Sequence, residues 1–293
     1  MKHINYLIQD IEKQLTKRNW LDGRLCSEFT DEITSRLKGQ YNSPERKPSL
    51  RLSQMGPRCP RALWYSIHHP ELAEPMPPWV QMKFSFGHII EGLAIGLAKA
   101  SGHEVVGEQD AVYVDGVEGH RDCVIDGCLV DVKSASSIAF KKYKDGFKAE
   151  DDTFGYLDQL DAYLVGSADD PLVQVKDRGY LLFIDKQLGH MHLHEHRIRE
   201  SSIRRRVAEY KNIVEGNVPP GCTCGTVPDG ESGNIKLDVK ASYNTFKHCC
   251  FPSLRTFLYS GGPRYLTKVV KTPTYVGKPL TEIDKYGNIV NGR

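Results

Sequence analysis

The sequence predicts an α/β protein, a mixed central sheet with helices on its faces, preceded by a helical segment and followed by an irregular C-terminal extension. Three observations predict it. Apolar residues recur at helical spacing over 4–40 and again over 79–101. Between 103 and 134 the pattern changes to short β-branched runs broken by Asp-Gly. Helical pattern, hairpin and helical pattern then alternate up to residue 215. The 293 residues suffice for a sizeable core in one large or two modest domains. Three segments are expected: a helical segment 1–48, a core 49–218, and a cysteine-containing extension and tail 219–293.

Each element follows from local pattern. Ile4, Leu7, Ile8, Ile11 and Leu15 mark a first amphipathic helix, and Phe29, Ile33 and Leu37 a second. A polar, Pro-containing linker from Tyr41 to Pro48 ends this region, and residues 50–65 read as a loop leading into a short helix. After the Pro-rich connector 70–78, the helix 79–101 has Phe86, Ile89, Ile90, Leu93 and Leu97 as its apolar stripe. Strands are expected at about 103–107, 110–117, 119–125 and 128–134. A helix over 152–166, a hairpin over 179–197 and a helix over 201–215 complete the core. Beyond Pro219-Pro220-Gly221 the composition turns to Gly, Cys and polar residues, and the last twenty-five residues read as an extended tail.

The run Gly-His-Arg-Asp-Cys-Val-Ile-Asp-Gly-Cys-Leu-Val-Asp-Val-Lys-Ser, 119–134, holds the chemistry. Asp126-Gly127 between two apolar stretches signals a two-residue hairpin turn, because both central residues need φ > 0. In that register Ile125 faces Cys128, Val124 faces Leu129, and Asp122 faces Asp131, with Lys133 on the same face as Asp131. Two opposed carboxylates repel, so a cation between them is expected, and a divalent metal is the usual one. The chain has three further acid-x-Lys tripeptides, Glu45/Lys47, Glu209/Lys211 and Asp238/Lys240. The first lies in a linker and the second in a helix, where residues two apart diverge. The third reads as strand with no acid opposite it. On the helix 79–101, His88 and Glu91 share one face; on the helix 152–166, Gln159 and Tyr163 do.

Charge and composition bound the partners. No apolar run reaches membrane-spanning length and the N-terminus lacks a signal peptide's core, so a cytoplasmic location is expected. A net charge of +2 leaves nucleic-acid contact to local patches. Candidates are Lys141, Lys142 and Lys144 with Arg58 and Arg61, while Arg204, Arg205 and Arg206 open a later helix. His190, His192, His194 and His196 alternate along one strand face; with no acid or cysteine spaced to complete a metal site, that face is expected to be solvated.

Taken in order, Gly87-His88 with Glu91, Gly119-His120-Arg121-Asp122, Asp131-Val132-Lys133 and Gln159-Leu160-Asp161-Ala162-Tyr163 resemble the motifs of the PD-(D/E)xK nuclease superfamily. The resemblance is to its RecB-like branch, which includes the phage lambda-type exonucleases and the CRISPR-adaptation nucleases, and it covers roughly 50–200. It implies a restriction-endonuclease-like core that cuts DNA with Mg²⁺ or Mn²⁺. It also implies metal ligation by Asp122, Asp131, His88, Glu91 and the Val132 carbonyl. Lys133 would position or activate water, and Gln159 and Tyr163 would contact substrate near the cut. Resemblance to compact stand-alone members further implies an exonuclease of phage replication or recombination, with a recombination or replication protein as a candidate partner. An endonuclease, a CRISPR-adaptation nuclease and a catalytically inactive DNA-binding scaffold are the alternatives.

Several RecB-like relatives hold a [4Fe–4S] cluster with one cysteine before the core and three after it. Cys59 fits the first position. Of the downstream positions, two are Ala241 and Asn244, which supply no thiolate, while Cys250 remains. Cys222 and Cys224 are available to make four thiolates with Cys59 and Cys250, for an iron–sulfur or a zinc site.

Overall fold

The structure is a computed structural model that describes residues 2–42 and 47–290. Glu45, the middle of the expected linker (residues 43–46) and the end of the expected tail lie outside the described residues. The chain divides into two compact units, residues 1–57 with 78–208, and residues 58–77 with 209–293.

The first unit is a mixed α/β layer structure. After a short 3₁₀ turn come α1 (Leu7–Thr16) and α2 (Gly23–Tyr41), the latter opened by the Asp22 carboxylate, which accepts from the Leu25 N–H at 2.9 Å. The long helix of this unit is α4 (Pro78–Ala100); α3 (Pro60–His68) belongs to the second unit. Strands β1 (Val105–Val106), β2 (Ala111–Val114), β3 (Val117–His120), β4 (Cys123–Ile125) and β5 (Cys128–Ala135) follow. Then come α5 (Ser137–Lys144), α6 (Tyr156–Gly166), β6 (Arg178–Asp185), β7 (Met191–Arg197) and α7 (Glu200–Glu215). The sheet order is β1-β4-β5-β6-β7, parallel only between β5 and β6.

The turn between β4 and β5 has Asp126 at φ 50° and Gly127 at φ 75°, and it sets Ile125 opposite Cys128 and Val124 opposite Leu129, as its sequence predicts. The same chemistry recurs at Asp115-Gly116, with φ 48° and 82°, so β2 and β3 form a separate hairpin. The expected strand 119–125 is therefore broken at Arg121-Asp122. Arg121 is fully buried there, donating to Gly107 O, Asp110 and Asp170 at 3.1, 2.7 and 2.5 Å.

One face of the sheet packs on α1 and α4 through Leu7, Ile11, Ile95, Ile125, Val130 and Leu182. The other, carrying Leu129, Asp131, Leu181 and Phe183, is covered by α5 and α6; Tyr143 stacks on Phe183 at 4.3 Å. The buried side of α4 departs from the expected stripe. Phe86, Ile89 and Leu93 are exposed, whereas Gly92, Ala94, Ile95, Gly96, Leu97 and Ala98 are buried. Small residues let a helix approach its neighbours closely, and here Ile33 and Phe29 of α2 fill the space beside Gly92 and Gly96. Burial thus follows close packing and not side-chain size.

The second unit opens with α3 (Pro60–His68) and continues after α7 with β8 (Thr226–Pro228), β9 (Ile235–Leu237), α8 (Val239–Ser242) and α9 (Lys247–Cys250). Strands β10 (Arg255–Tyr259), β11 (Gly262–Lys268), β12 (Thr274–Tyr275), β13 (Lys278–Pro279) and β14 (Glu282–Ile283) complete it. The extension holds more regular structure than its composition predicts: a five-stranded antiparallel sheet, β14-β10-β11-β9-β8, and a two-stranded ribbon. Asp238 caps α8 through the Ala241 N–H and does not lie in a strand. Among the described residues no helix is long and apolar enough to cross a membrane.

Candidate active site

Lys133 and Asp131 lie two positions apart on β5, so both project from the face covered by α5 and α6. The Lys133 Nζ stands 2.6 Å from Asp131 Oδ2, and 5.2 Å from the centre of the Tyr156 ring of α6. Asp131 is fully buried, and its Oδ2 has no hydrogen bond of good geometry despite the nearby ammonium. Across the hairpin, Asp122 Oδ2 accepts from the Val132 N–H at 2.7 Å. The strand break at Arg121 leaves the Asp122 carboxylate beyond the last paired residue of β4 and free of the ladder.

From α4, Glu91 reaches the same place, where its charge acts on Asp122. Arg36 of α2 pairs with Glu91 and stands 2.5 Å from Glu32, with its side chain 4% exposed. Gln109 Nε2 donates to Glu91 at 3.0 Å, and His88 Nδ1 lies 3.8 Å from its other oxygen. From α6, Gln159 Nε2 lies 3.4 Å from Asp131 Oδ1 and donates to the Tyr163 hydroxyl at 2.9 Å. Tyr163 is 2% exposed, so it positions Gln159 and offers little surface of its own to a substrate.

The electrostatics follow from three carboxylates meeting in a dry place. Burial, then the charges of Asp131 and Glu91, push Asp122 well above the ordinary carboxylate range. Burial also raises Asp131, against the pull of Lys133. On Glu91 burial acts the same way but is outweighed by His88 and Arg36, leaving its carboxyl below the usual value. Burial opposes the charge on Lys133, yet Asp131 and Asp122 outweigh it and hold the ammonium above the ordinary lysine range. The centre is anionic, hard-oxygen and partly unsatisfied at Asp131 Oδ2, which fits a divalent cation such as Mg²⁺ or Mn²⁺.

Sequence reasoning missed two residues. Arg36 falls seven positions after Phe29 in an amphipathic pattern, so a charge on an apolar stripe was the available signal. Arg121 belongs to a quoted motif, but only the tertiary fold shows its three partners.

The remaining candidates are dispersed. Lys141, Lys142 and Lys144 are exposed in the last turn of α5, where positive charge also suits a helix C-terminus. Arg58 and Arg61 lie in the second unit, where Arg61 Nε donates to Pro220 O at 2.8 Å. Arg204 pairs with Glu200 and Asp115, and Arg206 with Asp158. The histidine face is not solvated as expected. His192, His194 and His196 are half-buried, Phe147 meets His194 edge-on at 5.3 Å, and His196 Nε2 lies 2.8 Å from Asp161 of α6. That acid, 35 positions away in sequence, reaches the strand only through the crossover.

In the second unit Cys59, Cys222, Cys224 and Cys250 come together, their four Sγ atoms all within 4.8 Å of one another. Cys249 adjoins Cys250 but stands outside this group, and Cys123 and Cys128 are buried in the first unit.

Fold and site define a mixed α/β protein with a buried acid-and-lysine centre. No protein-family model and no curated protein matches the chain. Among solved structures it is similar to SSO0001, with a TM-score of 0.42 and 17% identity over 75% of this chain and 95% of that one. It is also similar to the alkaline exonuclease LHK-Exo from Laribacter hongkongensis, with a TM-score of 0.38 and 12% identity over 64% and 94%. The same exonuclease in complex with dAMP gives a TM-score of 0.37 at 12% identity.

Proposed function

We propose that the chain is a divalent-metal-dependent deoxyribonuclease that hydrolyses phosphodiester bonds at the Glu91–Asp122–Asp131–Lys133 centre, acting as an exonuclease. The observation that carries this reading is the half-buried, charged Lys133 held 2.6 Å from the fully buried Asp131, with Asp122 fixed across the hairpin by the Val132 N–H. Phosphodiester hydrolysis needs an oriented water, an offset for charge on the non-bridging oxygens, and a stabilised leaving oxygen. A divalent cation held by the three carboxylates, with His88 and the Val132 carbonyl as the further ligands that the resemblance implies, would supply Lewis-acid offset of that charge. The protein does the rest. Lys133 keeps its proton and presents a fixed positive charge to the phosphate and to the attacking water. Asp131 orients that ammonium, and Gln159, steadied by Tyr163, fixes Asp131 and offers an amide at the edge of the centre. The exonuclease assignment rests on the resemblance of the Gln159/Tyr163 pair and its companions to the RecB-like motifs.

Degradation of end-labelled linear DNA with Mg²⁺, Mn²⁺ or EDTA tests the proposal, with a nicked and a closed circular substrate alongside. Metal-dependent release of mononucleotides or short products from linear DNA, and none from closed circles, is expected. Linearisation of circles would make the protein an endonuclease; no cleavage under any condition would leave a DNA-binding scaffold. Asp131→Ala and Lys133→Ala should each lower cleavage by about 10²–10³-fold, as loss of a charge-stabilising group at a reacting centre does, while a gel-shift assay still shows DNA binding. Undiminished cleavage by either variant would remove this centre from the reaction.

A further inference from the structure

Four sulfurs from three stretches of chain meet in the second unit. Cys59 stands at the N-cap of α3, Cys222 and Cys224 follow the Pro219-Pro220-Gly221 turn, and Cys250 ends α9. The Sγ of Cys59 lies 3.8 Å from that of Cys222 and 3.7 Å from that of Cys250, and Cys224 lies 3.8 Å from Cys250. These separations discriminate between metals. A tetrahedral ion with metal–sulfur bonds near 2.3 Å has sulfur–sulfur edges of about 3.8 Å. In a [4Fe–4S] cube each cysteine binds a different iron, and the thiolates stand roughly 6 Å apart. With every pair within 4.8 Å, the four sulfurs do not fit a cube.

The surroundings treat the sulfurs as acceptors. Asn244 Nδ2 approaches Cys224 Sγ at 3.3 Å and Cys250 Sγ at 3.8 Å, and the Cys224 N–H lies 3.3 Å from Cys222 Sγ. Donors aimed at sulfur are what thiolates bound to a cation require, and they offset the charge left over when four thiolates meet a divalent ion. Asn244 supplies no thiolate and donates to the ligands instead.

We infer that Cys59, Cys222, Cys224 and Cys250 form a mononuclear, tetrahedral, structural zinc site and not an iron–sulfur site. All four positions are filled by protein, so the ion has no open position for substrate or water and does no chemistry. Its task is to tie the segment carrying α3 to the segment carrying Cys222 to Cys250, within a unit one of whose buried clusters is only Leu237, Ala241 and Leu254.

The test is metal analysis of the full chain purified anaerobically, with acid-labile sulfide and a visible spectrum measured on the same sample. About one zinc per chain, no sulfide and no visible colour are expected. Exchange with Co²⁺ should produce the thiolate charge-transfer and d–d bands of a tetrahedral cobalt site. Iron with sulfide overturns the inference, and so does a single iron without sulfide. A metal-free chain whose four cysteines react freely with a thiol reagent overturns it as well. Cys222→Ser should lower zinc content or retention, whereas Cys249→Ser, next to a ligand but outside the set, should retain zinc as the parent does. Because Cys222→Ser could also misfold, the parent chain is titrated with a mercurial in the presence of a zinc dye. Zinc release in step with modification of four thiols is the expected result, and release without thiol modification overturns it.

Discussion

Lys133 keeps its charge in a place that would ordinarily strip it, because two aspartates face it across and along one hairpin. The carboxylates need a second counter-charge, and Arg36 provides it. Breaking a buried pair by removing one partner leaves the other charged and alone, at a cost of about 3–5 kcal/mol. Arg36→Leu should therefore lower stability by that order in urea unfolding, and Arg36→Leu with Glu91→Gln should recover a large part of the loss. If the double variant is no more stable than Arg36→Leu, the arginine does not serve Glu91. At this scale the sequence was informative wherever chemistry is local. The placement of Asp131 and Lys133 follows from one turn dipeptide and the period of a strand, whereas Asp122, expected opposite Asp131, lies just past the paired residues and is held by the Val132 N–H. Arg36 and Arg121 were not legible in the same way, since the partner that joins Arg36 to the site, Glu91, lies 55 residues away and the acids that hold Arg121 lie 49 and 11 away, and only the packed fold joins them.

Among the elements, α6 is positioned at its start and along one side. Its N-terminus starts at Gly155, with φ 75°, where the Asp152 carboxylate accepts from the Tyr156 and Leu157 N–H groups at 2.8 Å each. The opposite side is held by Asp158 and Asp161, which pair with Arg199, Arg206 and His196. Gly155 also touches Gly56 backbone to backbone: a Cβ on Gly155 would lie 2.1 Å from the Gly56 Cα. Gly155→Ala must therefore move the start of the helix that bears Gln159 and Tyr163. It should cost at least the roughly 1–3 kcal/mol of a strained backbone position and slow cleavage more than it weakens DNA binding. A variant with the parent's melting temperature and rate would show that the helix start is not fixed by this contact. Elements with one clear local signal were read well, as α7 and the β6–β7 hairpin show. The buried side of α4 was misread because its packing runs through Gly and Ala, which carry little hydropathy signal. The second sheet was missed because its strands are short, two to seven residues, and several are exposed.

Over the whole molecule, the chain builds two units with separate buried clusters, and it leaves the first unit at Arg58 to return at Pro78. That excursion carries Cys59, and no local pattern announces it. A structural zinc contributes on the order of 10 kcal/mol to folding, comparable with the net stability of a whole domain, about 5–15 kcal/mol. Stripping the ion should accordingly unfold the second unit while the sheet β1-β4-β5-β6-β7 retains its protection. Hydrogen exchange read by mass spectrometry on the full chain, before and after treatment with a strong zinc chelator, measures this directly. Peptides covering 58–77 and 226–268 should lose protection, and peptides covering β5 and β6 should keep theirs. Readdition of zinc to the reduced chain should restore the first set. Exchange that rises equally in both units would mean that the two cores unfold as one, and exchange unchanged in both would mean that the cysteines carry no ion on which folding depends.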